Sequence, residues 1–461
     1  MKFFEMAVAI DQHHGFKPFN RSPRCRLQSL THFDYNVHEF TQTNLTPSFK
    51  QAFQLVNIHR SFSTPCFSLA TAYEDEFDVN PRVEIVSGHG APRVHALVVE
   101  VAIAMALGVN PLPVSSGSGG ACFLRARNGD KIAVAKPIDE EPKGFGGLML
   151  GQPGRKRSVQ VGGTGIRELA AYLLDHGGFA GVPPTVLVKI THAGFPFNDG
   201  ASPAHCKIAS LQQFVDHNFD AGELGPSGFL VDSVHRIGIL DVRILNLDRH
   251  AGNILVKKND IHENYAVGGA KLVPIDHGLC LPEFLDNPYF EWLHWPQASV
   301  PFSETELDYI SKLDPFNDAN LLRRELPSLR ESSIRGLVVC TMLLKQAAAA
   351  GLCLGDIGEM MSRECCGGEE NRSLLESICA KAKASIENED DCGEVTDPPQ
   401  LSERLVNMDD QSKRSIRCSG ISLGEMSDGE WDLFLEWFEK LLVQGFQATN
   451  CSLVASFSYA L

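Results

Sequence analysis

Several features that mark common classes of protein are missing from this sequence. No uncharged apolar run of about 18 residues occurs, so we expect no transmembrane helix. The apolar stretch that follows Met1 is interrupted by Glu5 and ends at Asp11, a pattern that is poor for a secretory signal. No internal repeats are visible either.

The cysteines lack the spacing of a disulfide or zinc framework. There are 13 of them, scattered along the chain, with Cys365 and Cys366 adjacent and no pair of CxxC motifs. We therefore expect reduced thiols, a cytosolic compartment and no structural zinc site.

Positive charge is scarce. The chain has 41 Lys and Arg against 57 Asp and Glu, a formal net charge of −16. Nothing in so acidic a chain offsets repulsion from phosphates, so we expect no nucleic-acid partner. Hydrophobic residues make up 43% of the sequence, which excludes a wholly disordered chain. At about 150 residues per domain, the length predicts roughly two to three domains.

The pattern along the chain predicts four regions. Residues 1–90 show weak periodicity and many polar residues, so we expect a mostly irregular leader. Residues 91–366 carry clear strand and helix patterns. Residues 367–420 are crowded with acidic side chains and predict a disordered linker. Residues 421–461 predict an amphipathic helix and a tail.

Local signals define elements within the second region. Asn128-Gly129 between two strand-like runs predicts a hairpin, and apolar residues at helical spacing predict a helix from Thr164. Further patterns predict a helix or buried strand over 98–107, a strand over 183–190, a helix over 230–245 and short strands over 254–256 and 271–275.

The C-terminal helix begins with a capping box, Ser427-Asp-Gly-Glu430. One face is apolar and consists of Trp431, Phe434, Leu435, Phe438, Leu441 and Leu442. We favour packing of this face on the main domain. The alternative is that the helix or the acidic linker binds a protein partner.

A Gly-rich turn, Ser116 to Gly120, lies between strand-like segments. Glycines let backbone amides approach phosphate oxygens. The turn matches neither the Walker pattern nor the dinucleotide pattern, so by itself it favours a plain hairpin turn.

Lys136 ends the apolar run that begins at Ile132. A lysine placed after a Gly-rich turn can reach the α- and β-phosphates of a nucleotide. It then needs a carboxylate partner, and Glu168 on the helix from Thr164 is the candidate. Taken alone, the two are a strand-end charge and a solvated helix residue.

Asp248 and Asn253 are separated by four residues, in the order Asp-Arg-His-Ala-Gly-Asn, directly before a strand. Kinases use this spacing, with the Asp orienting the attacking hydroxyl and accepting its proton, and the Asn helping to hold Mg²⁺. His250 between them either stabilises charge or forms a structural hydrogen bond.

Asp276 follows the strand that ends at Ile275 and precedes His277-Gly278. A carboxylate at this position is well placed to coordinate a Mg²⁺ that bridges the β- and γ-phosphates. The hairpin over 254–275 should bring Asp276 opposite Asn253. By position, the segment Gln212 to Val215 fits the connector that offers backbone hydrogen bonds to adenine.

Together these residues resemble the phosphatidylinositol 3-/4-kinase superfamily, and most closely the plant-type gamma group of type II phosphatidylinositol 4-kinases. The matching words cover about 95–365 and include SGSGGACFL (116–124), AKPIDEEP (135–142), LDVRILNLDRHAGNILV (240–256), VPIDHGLCLPE (273–283) and FEWLHWPQASVPFS (290–303).

The resemblance implies an α+β, two-lobed protein-kinase-like fold with a small β-rich N-lobe and a larger, mostly helical C-lobe. The lobes would span 91–211 and 216–366, with a hinge at 212–215. It implies a plant lipid kinase, cytoplasmic and peripheral at membranes, that uses MgATP and phosphatidylinositol to give phosphatidylinositol 4-phosphate. Asp248, Asn253 and His250 would be catalytic, and Asn253 and Asp276 would bind Mg²⁺. ATP would be bound by Ser118, Gly119, Gly120, Ala121, Cys122, Phe123, Leu124, Lys136, Glu168, Gln212, Gln213, Phe214, Val215 and Asp276.

The stretch after Asp276 bears on the acceptor. From His277 to Ser311 there is no Lys or Arg, which disfavours a multiply phosphorylated headgroup and is compatible with plain phosphatidylinositol. Its aromatic residues suit either a bilayer interface or the core, and we favour the core. They are Phe284, Tyr289, Phe290, Trp292 and Trp295. A Ser/Thr protein kinase with the same ATP site and a nucleotide-binding scaffold without turnover are the alternatives.

Overall fold

The computed structural model of the protein describes residues 81–91, 93–114, 120–138, 158–159, 162–192, 206–257, 270–363, 365–366, 369–389 and 420–458. Within these residues the buried apolar side chains form two hydrophobic cores. One core lies between an antiparallel sheet and a helix, and the other lies mainly among the helices of the second half of the chain and includes buried residues between Leu169 and Leu187.

The first half of the chain supplies the sheet. Its elements are β1 (Arg82–Ser87), α1 (Val94–Ala106), β2 (Leu112–Pro113), β3 (Cys122–Arg125), β4 (Lys131–Pro137), α2 (Thr164–Leu174), β5 (Thr185–Thr191) and β6 (Cys206–Gln213). The six strands lie in the order β1-β5-β6-β4-β3-β2, and every neighbouring pair is antiparallel.

The hairpin of β3 and β4 confirms the prediction made from Asn128-Gly129. Gly129 has φ of 92°, a left-handed conformation that costs a glycine little. Cys122 and Leu124 alternate with partly buried neighbours, so one face of β3 enters the core while the other faces outward.

The sheet begins earlier than the sequence pattern suggests. β1 lies within the segment 1–90 that was predicted to be mostly irregular, and it pairs with β5. Only Val83 of β1 is fully buried, so this edge strand carries a weak hydrophobic pattern. The ambiguous apolar run over 98–107 belongs to helix α1, not to a strand.

The second half of the chain is mainly helical. Its elements are β7 (Phe219–Asp220), α3 (Val231–Arg243), β8 (Asp248–Arg249), β9 (Ile254–Lys257), β10 (Lys271–Pro274), β11 (Tyr289–Phe290), α4 (Glu304–Lys312), α5 (Pro315–Glu325), α6 (Glu331–Ala349), α7 (Leu354–Met361), β12 (Cys365–Cys366), β13 (Glu369–Glu370), α8 (Leu374–Glu389) and α9 (Asp428–Ser458). α6 lies deepest, with most of its side chains buried. The predicted helices from Thr164 and over 230–245 are present as α2 and α3.

Most of the aromatic residues after Asp276 lie in the helical core, as favoured above. Phe290, Trp292 and Trp295 are buried. Phe284 is partly buried, and Tyr289 differs from the others because 45% of it is exposed.

The prediction of a disordered linker over 367–420 was wrong for its first part. Residues 374–389 form α8, whose apolar side chains recur at helical spacing and are buried. These side chains are Leu375, Ile378, Cys379, Ala382 and Ile386. The acidic residues dominated the composition and concealed this spacing. Residues 390–419 lie outside the described residues.

Helix α9 packs on the same core, in agreement with the favoured prediction. Its capping box is present, because Ser427 N–H donates to Glu430 and Glu430 N–H donates to the Ser427 hydroxyl oxygen. Phe434 and Phe438 are fully buried. Arg335 of α6 donates to the carbonyl of Met426 at 2.7 Å and lies over the Trp431 ring at 4.9 Å. The folded unit therefore continues beyond residue 366.

Among the described residues, every helix is too short or too polar to cross a bilayer.

Candidate active site

Lys136 connects the sheet to the helical part of the chain. It lies near the end of β4, and its Nζ atom is 2.7 Å from Oε1 of Glu168 on α2. The same Nζ atom is 3.0 Å from Oδ1 of Asp276. The pairing of Lys136 with Glu168 that the sequence suggested is confirmed, and Asp276 joins it as a second carboxylate.

The charges in this cluster stabilise each other. Burial alone would lower the pKa of Lys136, but the negative charges of Asp276 and Glu168 outweigh it and raise that pKa above its usual value. Burial alone would raise the pKa of Glu168, but the charge of Lys136 and the neighbouring His277 hold it well below its usual range. The backbone N–H of His277 also donates to Oε2 of Glu168 at 3.2 Å. The lysine is therefore a fixed positive charge at neutral pH.

The segment from Asp248 to Asn253 forms a rigid loop. It contains strand β8 and a short 3₁₀ helix, Ala251–Asn253. Nδ2 of Asn253 donates to the backbone carbonyl of Asp248 at 3.0 Å. Oδ1 of Asn253 accepts no hydrogen bond from any residue in the part of the chain that the structure describes. The amide of this buried residue is thus oriented by its nitrogen, and its oxygen keeps its hydrogen-bonding capacity unused.

Asp248 lies in a partly buried position on this loop. Burial raises its pKa, and the negative charge of Asp276 adds to that rise, while His250 and Arg249 oppose it. His250 is exposed, and its Nδ1 accepts from the N–H of Gly252 at 3.1 Å. Nε2 therefore carries the proton of the neutral ring.

The hairpin of β9 and β10 brings Asp276 beside Asn253. Ile254 pairs with Pro274, and the N–H of Ile275 donates to the carbonyl of Asn253 at 3.0 Å. Asp276 follows with φ of 58°, a left-handed conformation that aspartate tolerates better than most residues. Such strained conformations concentrate at functional sites. The side chain of Asp276 is half exposed and faces Lys136.

Arg249 is a residue of this site that the sequence reasoning missed. Its side chain is fully buried and donates from Nε and Nη2 to Asp241 at 2.9 to 3.1 Å. Its Nη1 donates to the carbonyls of Asn253 and Ile275, each at 2.7 Å. Arg249 therefore joins the loop of Asn253 to the residue that precedes Asp276. The signal available in the sequence was the position of Arg249, a charged residue inside a motif that apolar runs flank on both sides.

Asp241 is the carboxylate that holds Arg249 in place. This buried carboxylate on α3 also accepts from Nδ2 of Asn246 at 2.9 Å and from Nε1 of Trp292 at 3.1 Å. A buried charge is costly unless it is paired and hydrogen-bonded, and here each carboxylate oxygen has more than one donor.

Of the Gly-rich turn, Ser116 to Gly120, only Gly120 belongs to the described residues. Ser118 and Gly119 lie outside the described residues. Gly120 has φ of 61°, and the side chains of Cys122 and Leu124 enter the core of the sheet. These two side chains are thus not brought to the cluster around Lys136, and any contact that they make with a ligand must use their backbone.

The predicted connector begins inside a strand. Gln212 and Gln213 are the last residues of β6, so the hinge range 212–215 starts two residues too early. The Gln212 side chain is buried and donates to Oγ1 of Thr185 at 3.0 Å. The N–H of Gln213 donates to the carbonyl of Pro184. The Gln212 side chain and the Gln213 N–H are therefore already engaged in hydrogen bonds within the protein.

Phe214 and Val215 follow the strand. The N–H of Phe214 donates to Ile132, and its ring meets the edge of Phe123 with centroids 5.7 Å apart. Within the described residues, no hydrogen bond uses the N–H of Val215. Val215 is therefore the residue of this connector with a free backbone donor.

A lysine held by a buried glutamate, facing an Asp-x-x-x-x-Asn loop and a further aspartate, has the composition of a phosphoryl-transfer site. The family model for phosphatidylinositol 3- and 4-kinase matches residues 120–357, which contain all of these side chains. The chain belongs to this family.

Named relatives agree with this assignment. The chain is 61% identical over 397 residues to phosphatidylinositol 4-kinase gamma 1 of Arabidopsis thaliana, covering 83% of this chain and 70% of that protein. It is 49% identical over 529 residues to phosphatidylinositol 4-kinase gamma 8 of Arabidopsis thaliana, covering 96% and 97%. The solved Helicobacter pylori proinflammatory kinase CtkA covers 54% of this chain and 93% of its own, at 13% identity and a TM-score of 0.20, which is too low to support an argument.

Proposed function

We propose that the protein transfers the γ-phosphoryl group of MgATP to the 4-hydroxyl of phosphatidylinositol, giving phosphatidylinositol 4-phosphate. The contact that carries the proposal is that of Lys136 with Asp276, 3.0 Å from Nζ to Oδ1, beside the loop of Asp248 and Asn253. The ring position rests on the names of the relatives.

We further propose a two-lobed layout with the nucleotide between the lobes. The sheet with α1 would form one lobe and the helical core the other. Support comes from Lys136, which the sheet provides, and from Asp276, which the helical part provides. Val215, with its free N–H, would bind the adenine edge, and Ser118 to Leu124 would cover the phosphates through backbone amides.

Asn253 and Asp276 suit a magnesium ion. Mg²⁺ prefers oxygen ligands and is commonly bound through one or two protein side chains plus substrate phosphates. Asp276 offers a half-exposed carboxylate, and Asn253 offers the unused Oδ1 described above. When bound, the ion neutralises charge that develops on the phosphate oxygens.

The remaining steps fall to the side chains. Lys136, held by Glu168, would contact the α- and β-phosphates. Asp248 would orient the 4-hydroxyl and accept its proton. The hydroxyl oxygen then bonds to the γ-phosphorus while the bond from that phosphorus to the β–γ bridging oxygen breaks, and ADP leaves. His250, with its proton on Nε2, would stabilise the phosphate charge from the same loop as Asp248.

A lipid panel tests this proposal. Purified protein, Mg²⁺ and radiolabelled ATP are offered vesicles with phosphatidylinositol or without it, and separately a mixture of proteins. We expect label on phosphatidylinositol, at the 4-position when the product is resolved. Label on proteins alone would indicate the protein kinase alternative, and tight ATP binding without label on any acceptor would indicate a scaffold.

Because the acceptor is a membrane lipid, we propose peripheral action at a cytoplasmic membrane surface.

A further inference from the structure

Tyr289 lies beside the proposed base on a small parallel pairing. β11 runs parallel to β8, with Tyr289 opposite Asp248 and Phe290 opposite Arg249. Side chains of register partners share a face of the sheet, and successive residues alternate between faces. Phe290 and Arg249 are buried together, whereas Tyr289 is 45% exposed. Tyr289 therefore shares the outer face with Asp248.

The phenol of Tyr289 is joined to a carboxylate and to the catalytic loop. Its hydroxyl donates to Oε2 of Glu291 at 3.0 Å, and the same oxygen accepts from the N–H of Ala251 at 3.3 Å. Oε1 of Glu291 accepts no hydrogen bond from the described residues. Burial and the charge of Glu291 raise the pKa of Tyr289 to about 12, so the phenol keeps its proton.

The chain segment that carries this pair is poor in positive charge. The chain from His277 to Ser311 contains no Lys or Arg. Among the described residues, the titratable side chains beside the pair include Asp248, whose charge is felt by His250 and Arg249 of the same loop, and His294, whose ring centroid is 6.3 Å from that of Tyr289. Arg249 is fully buried in its pair with Asp241. A hydroxyl of the inositol ring can donate a hydrogen bond to Oε1 of Glu291. A phosphate in the same place would instead be repelled by the carboxylates of Glu291 and Asp248.

We propose that Tyr289 and Glu291 recognise the acceptor, binding an inositol hydroxyl next to the one that is phosphorylated and rejecting headgroups already phosphorylated there. This inference rests on the proposed function and names the groups that select its substrate. Glu291 acts on the acceptor in addition to its contact with Ala251. A purely structural role, in which Glu291 only holds the loop, is the competing explanation that the experiment must separate.

The test uses Glu291→Gln and Tyr289→Phe in the full chain. Vesicles carry phosphatidylinositol, phosphatidylinositol 3-phosphate or phosphatidylinositol 5-phosphate, whose extra phosphates neighbour the 4-hydroxyl. For Glu291→Gln we expect the KM for phosphatidylinositol to rise about tenfold, the size expected for loss of a charged hydrogen bond. The KM for ATP should not change, and the preference for phosphatidylinositol over the two phosphorylated lipids should fall about tenfold. Tyr289→Phe should raise the same lipid KM by a smaller factor.

Glu304→Gln, which removes an exposed carboxylate on α4, is the matched control and should keep both the lipid KM and the preference. If Glu291→Gln instead lowers kcat equally for all acceptors, including water in lipid-free ATP hydrolysis, with the lipid KM and preference unchanged, the recognition role is wrong. Thermal melting of each variant shows whether it is folded. If the unaltered protein labels no phosphatidylinositol, the proposed function fails first and the inference fails with it.

Discussion

Arg249 and Asp241 form a fully buried ion pair directly beneath the proposed active site. Nε of Arg249 lies 2.9 Å from Oδ2 of Asp241, and neither side chain is exposed. The remaining nitrogen, Nη1, donates to the backbone carbonyl of Asn253, one proposed magnesium ligand, and to that of Ile275, which precedes the other, Asp276, in the sequence. One guanidinium thus fixes the spacing of both ligands, and this is a task for its planar fork.

Replacing Arg249 by lysine should damage the magnesium site. Lysine keeps the charge, but its single nitrogen cannot reproduce the guanidinium fork that contacts Asp241 on one side and two carbonyls on the other. We expect kcat to fall about 100-fold and the free energy of unfolding to fall by about 3 kcal/mol, because a buried carboxylate loses donors. The Mg²⁺ concentration for half-maximal activity should rise. Kinetics across Mg²⁺ concentrations and urea unfolding measure these changes.

Arg323→Lys makes the same chemical change in an exposed pair with Glu331 and serves as its control. Exposed pairs contribute about 0–1 kcal/mol, so this variant should match the unaltered protein. Equal Mg²⁺ dependence for Arg249→Lys and Arg323→Lys would contradict the positioning role of Arg249.

Asp276→Asn should abolish transfer while leaving the protein folded. The side chain is half exposed, and asparagine tolerates the left-handed φ of 58°, so the backbone loses little. Asparagine keeps a ligand oxygen but removes the negative charge that binds the magnesium ion most strongly, and we expect a decrease in kcat of at least about 100-fold. Phosphate transfer to vesicles is the measurement. Asp308→Asn on exposed α4 is the control, and full activity of Asp276→Asn would refute the site.

Glu168→Gln separates nucleotide binding from chemistry. Glutamine can still accept from the N–H of His277, but it no longer neutralises Lys136. The lysine should then contact Asp276 alone and lose its fixed position. We expect the KM for ATP to rise about tenfold, with a smaller change in the lipid KM, since a charged hydrogen bond is worth about 1.5–3 kcal/mol. A larger rise in the lipid KM than in the ATP KM would contradict the proposed role of Glu168 in nucleotide binding.

The residues of the proposed site were predictable because most of them lie in or beside short strands, in a fixed order along the chain. Asn253 and Asp276 flank a hairpin whose pairing follows from two short apolar runs, and chain order alone brings them together. Arg249 was not predicted, because its partners are backbone carbonyls and a carboxylate on another helix. Such contacts have no signature in spacing.

The elements β1 and α8 were harder to predict from the sequence, for a different reason. β1 buries only one apolar side chain, Val83, so its pattern is too weak to identify a strand without its partner β5. α8 shows the opposite problem. The apolar side chains of α8 recur at regular helical spacing. Acidic residues on both sides of the helix gave this segment the composition of a linker, and the prediction gave that composition more weight than the spacing of the apolar residues.

Helix α8 is attached through a buried pair that should make the stability of the protein sensitive to acid. Nη2 of Arg363 lies 2.6 Å from Oε1 of Glu376, and both side chains are almost fully buried. Ser373 adds a backbone N–H to the same carboxylate at 2.9 Å. Burial alone would raise the pKa of Glu376, but these donors lower it below the ordinary value of 4.5.

A lowered pKa gives stability that is complete above pH 4.5 and is lost as the pH falls through the value in the folded protein. We therefore expect the free energy of unfolding, measured in urea, to decrease as the pH falls below 4.5. Glu376→Gln should lower it by about 3 kcal/mol at pH 7 and flatten this dependence, because the buried Arg363 loses the charge of this carboxylate at every pH. Glu359→Gln, on the exposed side of α7, should leave both unchanged. A variant Glu376→Gln with the full acid sensitivity of the unaltered protein would show that another carboxylate is responsible.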